Sequence, residues 1–222
     1  PNTIPSNWTI TDQGQGTVAI EVKNGLDAII PDFKTSSVRS AGQLPTGFKP
    51  GSLYQSRNHP RSLQMTVYSA SDAISSMGIS WEQIRDLLPP DQVAVYAGNS
   101  IGQLDDYGFG GLLKSPSVGK RTTSKQMPLG YGQMPADFVN AYLLGNLGST
   151  GTSLGACATF LYNLRSGVDD IRSGRRKLVV VGASDTPITP EVIEGFRAMG
   201  ALAEAKDLIA LDGKLQLTDE DL

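Results

Sequence analysis

The chain has 222 residues, of which 39% are hydrophobic and 18% charged, a composition that supplies a sizeable core and excludes a wholly disordered chain. Its net charge of −3 argues against general nucleic-acid binding, and no apolar run approaches the ~18 residues needed to span a bilayer. A single cysteine excludes an internal disulfide and a cysteine-rich metal site. We therefore predict a cytoplasmic protein with no membrane partner, no metal and no other cofactor.

The first 60 residues are predicted to be a loop-rich lead-in. Thr17–Val22 has the β-branched and apolar residues typical of a strand. Gly14-Gln15-Gly16 lacks the third glycine and the helix of a dinucleotide site, so it is interpreted as a turn. Glycine and proline are frequent between Pro31 and Pro60, which predicts loops there.

Helices and strands alternate after Pro60. Apolar side chains recur at helical spacing over 61–77, and Ser80 with Gln83 forms a capping box for a short second helix. The apolar run Val93 to Ala97 is typical of a buried strand. Eight glycines follow within residues 98–134, a length that indicates a functional loop or an interface rather than a passive connection.

The elements around the cysteine follow the same alternation. Pro135 begins a helix that Gly145 ends, and a short strand then leads to Cys157. A helix to about Ser173 and a strand over 177–182 come next. One more helix is predicted from 189 to 199, followed by a polar tail that is acidic at 219–221.

Cys157 is the candidate nucleophile. Lone cysteines are usually buried as small hydrophobes. Here Gly155, Ala156 and Ala158 are the small residues that a crowded strand-to-helix turn requires, which favours a nucleophile elbow. A thiolate at a helix N-terminus is stabilised and attacks thioesters and carbonyls.

From about residue 63 to 202 the chain resembles the β-ketoacyl-acyl-carrier-protein synthases. The turn Gly155-Ala156-Cys157-Ala158 is similar to the "A-C-[ST]" nucleophile turn of that family, with Ala158 in place of serine or threonine. Further similarity is carried by residues 93–102, 146–159 and 174–202, among them Pro190 and Phe196. Residues 43–48 resemble the divergent proteobacterial branch of initiating ketosynthases.

The resemblance implies an α/β, thiolase-like fold with a mixed five-stranded sheet covered by helices. Residues 1–222 are then expected to be the N-terminal half of a duplicated αβαβα sandwich. Its parts are the lead-in 1–60, a core 61–202 that holds the cysteine turn, and a polar tail 203–222. The C-terminal half, with the histidines and the lysine of the family, lies outside this chain, so the fragment alone is expected to be inactive.

The implied reaction is a decarboxylative Claisen condensation of fatty-acid or polyketide synthesis. Cys157 would take an acyl group from a thioester, and its own backbone N–H would stabilise the oxyanion. The implied partners are acyl- and malonyl-acyl-carrier protein, acyl-CoA as another acyl donor, and a second copy in a homodimer that depends on residues 98–157. Replacing Phe138 by a charged residue is expected to disrupt the packing of its helix or to break the dimer.

Two other classes remain open at this point. A class I glutamine amidotransferase or cysteine hydrolase needs a histidine after the nucleophile, whereas the only histidine, His59, precedes it. A non-catalytic, ketosynthase-like partner subunit typically lacks the cysteine. We interpret His59 as a surface loop residue without a catalytic role. The basic residues of the glycine-rich segment are candidates for contact with an acidic carrier protein: Lys114, Lys120, Arg121 and Lys125.

Overall fold

The structure is a computed structural model that describes residues 4–25, 36–42, 44–145, 148–186 and 188–213. The chain divides into two compact units, Pro1–Thr35 and Ser36–Leu222. The acidic tail at 219–221, Gln43, and residues 146 and 147 of the cysteine-turn resemblance lie outside the described residues.

The first unit holds an antiparallel hairpin. Its strands are β1 (Trp8–Gly14) and β2 (Thr17–Val22), with Ile10 opposite Ile20. The predicted turn at Gly14-Gln15-Gly16 is confirmed, because all three residues adopt positive φ. The pattern of 17–22 revealed β2, but β1 was not predicted.

The second unit contains the remaining elements. Its strands are β3 (Val93–Gly98), β4 (Ser149–Gly151) and β5 (Leu178–Ala183). Its helices are α1 (Arg61–Ser75), α2 (Trp81–Leu87), α3 (Phe109–Lys114), α4 (Gln126–Leu129), α5 (Met134–Val139), α6 (Thr159–Arg172), α7 (Pro190–Ala198) and α8 (Ala205–Asp212). A π-helical turn, Asn140–Leu144, continues α5.

The three strands of this unit form a parallel sheet in the order β4-β3-β5. The expectation of one mixed five-stranded sheet is therefore corrected. Five strands are described, but β1 and β2 pair only with each other through their tight turn and form a separate sheet. The capping box at Ser80 and Gln83 is confirmed.

Helices cover both faces of the parallel sheet. Val93, Val95 and Ala97 point to one face and pack against α5. On the other face Gly167 of α6 lies directly over Val179 and Val181, where a larger side chain would meet Val181. The sheet is thereby held between α5 with α1 on one side and α6 on the other.

The apolar stripe of α6 faces away from this sheet. Leu161 is 62% exposed, and Leu164, Val168 and Ile171 are exposed as well. The face that contacts the sheet carries instead the buried residues Thr159, Asn163, Gly167 and Asp170. The sequence predicted the helix correctly, and the structure shows that its apolar stripe is the face turned away from this sheet.

The glycine-rich segment is a set of short helices packed closely against the sheet edge, not an extended loop. It includes α3, α4 and the 3-10 turn Pro116–Val118. A side chain at Gly98 would collide with Thr152, and one at Gly102 with Ser62. Close backbone approach thus explains why glycine recurs here.

His59 is buried, with only 6% of its surface exposed, so the prediction of a surface residue is wrong. Its ring packs edge-on against Phe138 and Tyr142, and its Nδ1 lies 3.1 Å from the Tyr54 hydroxyl. The loop carries it inward because these aromatic rings form a shared apolar cluster. Phe138 belongs to this internal cluster, so a charge there is expected to disrupt packing within the chain.

Burial, and secondarily the charge of Lys125, lower the pKa of His59 from its ordinary value of 6.5. As the pH falls, His59 therefore takes up a proton in the unfolded chain before it does so in the folded chain. Its contribution to stability declines as the pH falls below the ordinary pKa of 6.5. We expect the unfolding free energy of the wild type, relative to a His59→Phe variant, to decrease between about pH 7 and about pH 5 in denaturant titrations. A pH-independent difference between the two proteins would contradict this.

Candidate active site

The candidate site lies at the carboxyl edge of the parallel sheet. Because β3, β4 and β5 run in the same direction, the segments that follow Gly98, Gly151 and Ala183 leave from one edge. Ligands of open α/β sheets bind at that edge. The predicted nucleophile, Cys157, lies in the segment after β4.

Cys157 is exposed and stands two residues before the first residue of α6. The backbone turn that precedes it is made by Ala156, whose φ is +49°. L-residues pay about 1–2 kcal/mol for the left-handed conformation. The turn predicted from the small residues is present. Its left-handed residue is Ala156, which directly precedes the cysteine.

The small neighbours of Cys157 have a direct structural reason. A side chain at Gly155 would overlap the ring of Tyr162, which covers the turn from the first turns of α6. The Ala158 N–H donates to the Gly155 carbonyl at 2.9 Å, closing the loop into the helix. The geometry leaves no room for a larger residue at position 155.

Asn163, which has no exposed surface, fastens the cysteine segment to the sheet. Its Oδ1 accepts the Ser153 N–H at 2.8 Å, and its Nδ2 donates to the Gly182 carbonyl at 3.2 Å. One amide thus joins the segment after β4 to the end of β5. Thr159, one helical turn earlier and 1% exposed, holds the turn at Ala156 through its hydroxyl.

The segments after β3 and β5 are joined to each other by a carboxylate. Asp185 accepts the backbone N–H groups of Ser100 at 3.2 Å and of Ile101 at 3.0 Å. The buried hydroxyl of Ser62, at the start of α1, accepts the Thr186 N–H at 2.8 Å. The three segments around Cys157 are therefore fixed by hydrogen bonds from several elements.

An open cleft of about 870 Å³ begins at Cys157. Its volume lies within the range of small-molecule sites. Most of its surface is apolar, and the polar groups near its mouth include Arg61 and Asp185. The apolar side chains that line it include Ile101, Phe160, Ile188, Ile193, Phe196 and Met199.

A second cleft of about 620 Å³ adjoins the first. The two share Ile101, Val192, Phe196 and Met199, so the apolar surface continues from Cys157 towards α3. An exposed thiol next to a long apolar cleft is suited to holding an aliphatic group in covalent linkage.

The basic residues of the glycine-rich segment have different surroundings. Lys114 lies 3.3 Å from Glu191 in an ion pair. Lys120, Arg121 and Lys125 are exposed, and no ion pair within the described part of the chain involves them. These three residues form one exposed cationic stretch of the described chain.

Residues 31–213 match the family model described as Beta-ketoacyl synthase, N-terminal domain. The chain therefore belongs to the β-ketoacyl synthase family, whose thiolase-like α/β fold its structure shares. The match does not support the amidotransferase, the hydrolase or the non-catalytic alternative. None of the described helices is long and apolar enough to cross a bilayer.

Several relatives agree with this assignment. The chain is 50% identical over 214 residues to beta-ketoacyl-[acyl-carrier-protein] synthase FabY of Pseudomonas aeruginosa. These residues cover 96% of the chain and 34% of that protein. The crystal structure of the ketosynthase FabY matches with a TM-score of 0.84 over 96% of the chain and 34% of the solved chain.

More distant relatives cover less of the sequence. Identity is 28% over 199 residues to the fatty acid synthase alpha subunit stcJ of Emericella nidulans, covering 86% of the chain and 12% of that protein. The identity to 3-oxoacyl-[acyl-carrier-protein] synthase 2 of Staphylococcus aureus is 23% over 193 residues, which cover 86% of the chain and 47% of that protein. The chain thus spans 34% of the length of FabY and less than half of the other two.

Sequence reasoning predicted Cys157 as the nucleophile and missed the polar residues that hold the turn before it. Thr159 and Asn163 are spaced four apart on α6, opposite the apolar stripe. A polar helix face is ordinarily assigned to solvent. The useful signal was the position of both residues on the first two turns of the helix that follows the cysteine, where polar side chains can bond the turn.

Replacing Asn163 by leucine is expected to lower the unfolding free energy by about 1–3 kcal/mol, because the hydrogen bonds of this buried amide to the Ser153 N–H and the Gly182 carbonyl are lost. Denaturant unfolding of the full-length protein measures this. Asp72→Leu, an apolar replacement at an exposed position of α1, is the control and is expected to change stability by less than about 0.5 kcal/mol. Equal stability of the two variants would refute the role of Asn163.

Proposed function

We propose that this chain is the nucleophile-bearing part of a β-ketoacyl-acyl-carrier-protein synthase. The observation that carries the proposal is Cys157, exposed at the carboxyl edge of the sheet and opening into an apolar cleft. Family membership supports it. The proposed reaction is the decarboxylative condensation of an acyl thioester with malonyl-acyl-carrier protein in fatty-acid synthesis.

In the first step Cys157 attacks the thioester carbonyl. The carbon–sulfur bond to the Cys157 Sγ forms, the tetrahedral oxyanion collapses, and the donor thiol leaves with a proton. We propose that the backbone N–H of Cys157 donates to this oxyanion. The left-handed turn at Ala156, which directly precedes this N–H, supports that role.

The second step adds two carbons. Decarboxylation of the malonyl thioester supplies a carbanion that attacks the acyl-Cys157 carbonyl and releases the free thiolate. In the family this step depends on histidines and a lysine of the C-terminal half, so we propose that residues beyond this chain provide them and that the chain alone does not condense. The exposed apolar stripe of α6, which includes Leu161 and Leu164, supports a covering layer contributed by that half.

The acyl group is proposed to lie along the apolar cleft. Phe160, Phe196 and Met199 lie on one continuous surface that begins at the thiol. An aliphatic chain buried there gains about 0.8 kcal/mol per methylene. Acyl-CoA as donor, a homodimer and a cytoplasmic location stay predictions of the family resemblance.

The test of the nucleophile uses the full-length protein and an acyl-carrier-protein thioester. Intact mass is expected to rise by one acyl group, and peptide mapping is expected to place that group on Cys157. Cys157→Ala is expected to gain no acyl mass. The double variant Cys157→Ala with Thr122→Cys moves the thiol to an exposed loop position and is expected to stay unmodified as well. It shows whether acylation requires the turn around Cys157 or only an exposed thiol. Acylation of the Cys157→Ala protein would contradict the proposal.

An acidic carrier protein is proposed to contact the surface formed by Lys120, Arg121 and Lys125. We expect Arg121→Glu to raise the KM for the carrier-bound substrate about tenfold at low salt, because attraction becomes repulsion, with a smaller effect at high salt. Arg85→Glu reverses an exposed charge on α2 and is the control. A KM that responds equally to both changes would contradict the assignment of this surface.

A further inference from the structure

The turn before Cys157 contains a residue whose conformation needs outside support. Four non-glycine residues of the described chain have positive φ, namely Gln15, Asn24, Asn58 and Ala156. Asparagine is comparatively tolerant of this region, and Gln15 lies in a hairpin turn between two glycines. Ala156 has neither advantage, since its side chain makes no hydrogen bond and its φ of +49° is unfavourable.

The hydroxyl of Thr159 bonds both sides of this residue. Its Oγ1 accepts the Gly155 N–H, which precedes Ala156, at 3.1 Å. The same oxygen donates its proton to the Ala156 carbonyl at 2.8 Å. One atom thereby bonds both peptide groups that flank the left-handed residue. The Ala156 carbonyl also accepts the Thr159 N–H at 3.1 Å and the Ser100 hydroxyl at 3.2 Å.

The hydrogen-bonding capacity of this hydroxyl is fully used. A hydroxyl has one donor and two acceptor positions. With Gly155 and Ala156 occupying one of each, the Ser100 hydroxyl lies 3.0 Å from the same oxygen, and it also donates to the Ala156 carbonyl at 3.2 Å. Thr159 is 1% exposed, so water does not replace any of these partners.

The anchor of this arrangement is rigid. Thr159 is the first residue of α6, and Asn163 one turn later fixes the same end of the helix to the sheet. The hydroxyl is therefore a fixed point against which the segment 155–157 is held. Without it, the Gly155 N–H loses its partner, and the Ala156 carbonyl keeps the Thr159 N–H and the Ser100 hydroxyl as donors. We expect the left-handed conformation of Ala156 to lose support and the cysteine turn to relax.

We propose that Thr159 is a positioning residue for Cys157, acting through the hydroxyl bridge that keeps Ala156 left-handed. The assignment rests on the proposed nucleophilic role of Cys157. It concerns the hydroxyl alone, because the methyl group of threonine makes none of the contacts described above.

The experiment compares Thr159→Val, which removes the hydroxyl at nearly constant volume, with Thr159→Ser, which retains it, in the full-length enzyme. For Thr159→Val we expect kcat to fall at least about tenfold with KM for the acyl thioester changed by less than about twofold, because the nucleophile is displaced while the cleft is intact. Thr159→Ser is expected to recover kcat to within about threefold of the wild type.

The crystal structures of the same variants give a readout that does not depend on turnover. Ala156 is expected to leave the left-handed region in Thr159→Val and to stay in it in Thr159→Ser. If the wild type transfers no acyl group at all, the proposed function fails, and the φ of Ala156 in the variants still decides whether Thr159 holds the turn.

A glycine at position 156 provides the rescue, since glycine adopts positive φ without steric cost. Ala156→Gly combined with Thr159→Val is expected to regain part of the lost kcat and to fold even where Thr159→Val alone does not. The proposal is overturned by a Thr159→Val enzyme with wild-type kcat and a left-handed Ala156, by a Thr159→Ser enzyme as impaired as Thr159→Val, or by a double variant that stays unfolded or as slow as the single one.

Discussion

The buried polar face of α6 is the constraint on which the rest of the site depends. Asn163 joins the segment after β4 to the end of β5, and Thr159 holds the turn that precedes Cys157. Their hydrogen bonds contribute strongly to stability because both side chains are buried, and an unsatisfied amide or hydroxyl in the interior costs about 1–3 kcal/mol. The same helix therefore presents a polar face to the sheet and leaves its apolar stripe exposed, which agrees with the proposal that the C-terminal half covers it.

Much of the fold follows from local signals in the sequence. The run Val93 to Ala97 and the run after Lys177 are strands because β-branched apolar residues suit a sheet buried on both faces. Gly78, Gly145 and Gly174 end helices with positive φ, as their positions indicate. The hairpin strand β1 was missed because Trp8–Gly14 is mostly polar and exposed, and α3 and α4 because they are single turns stabilised by tertiary packing.

The site was predictable only in part, for a physical reason. A small-residue turn before a helix predicts Cys157 as the nucleophile, because few other arrangements need small side chains on both sides. Its supporting contacts join positions far apart in the chain, such as Ser100 with Asp185 and Ser62 with Thr186, and periodicity carries no information about such pairs. The inward position of His59 likewise depends on Phe138 and Tyr142, which approach it only in the folded chain.

The most direct test of the account is a crystal structure of the full-length protein trapped after acylation and before condensation. The account predicts a thioester on the Sγ of Cys157, an acyl chain along Phe160, Phe196 and Met199, and Ala156 still left-handed with its carbonyl bonded to Thr159. An acyl group attached to another residue, or an acyl chain directed away from this cleft, would contradict it.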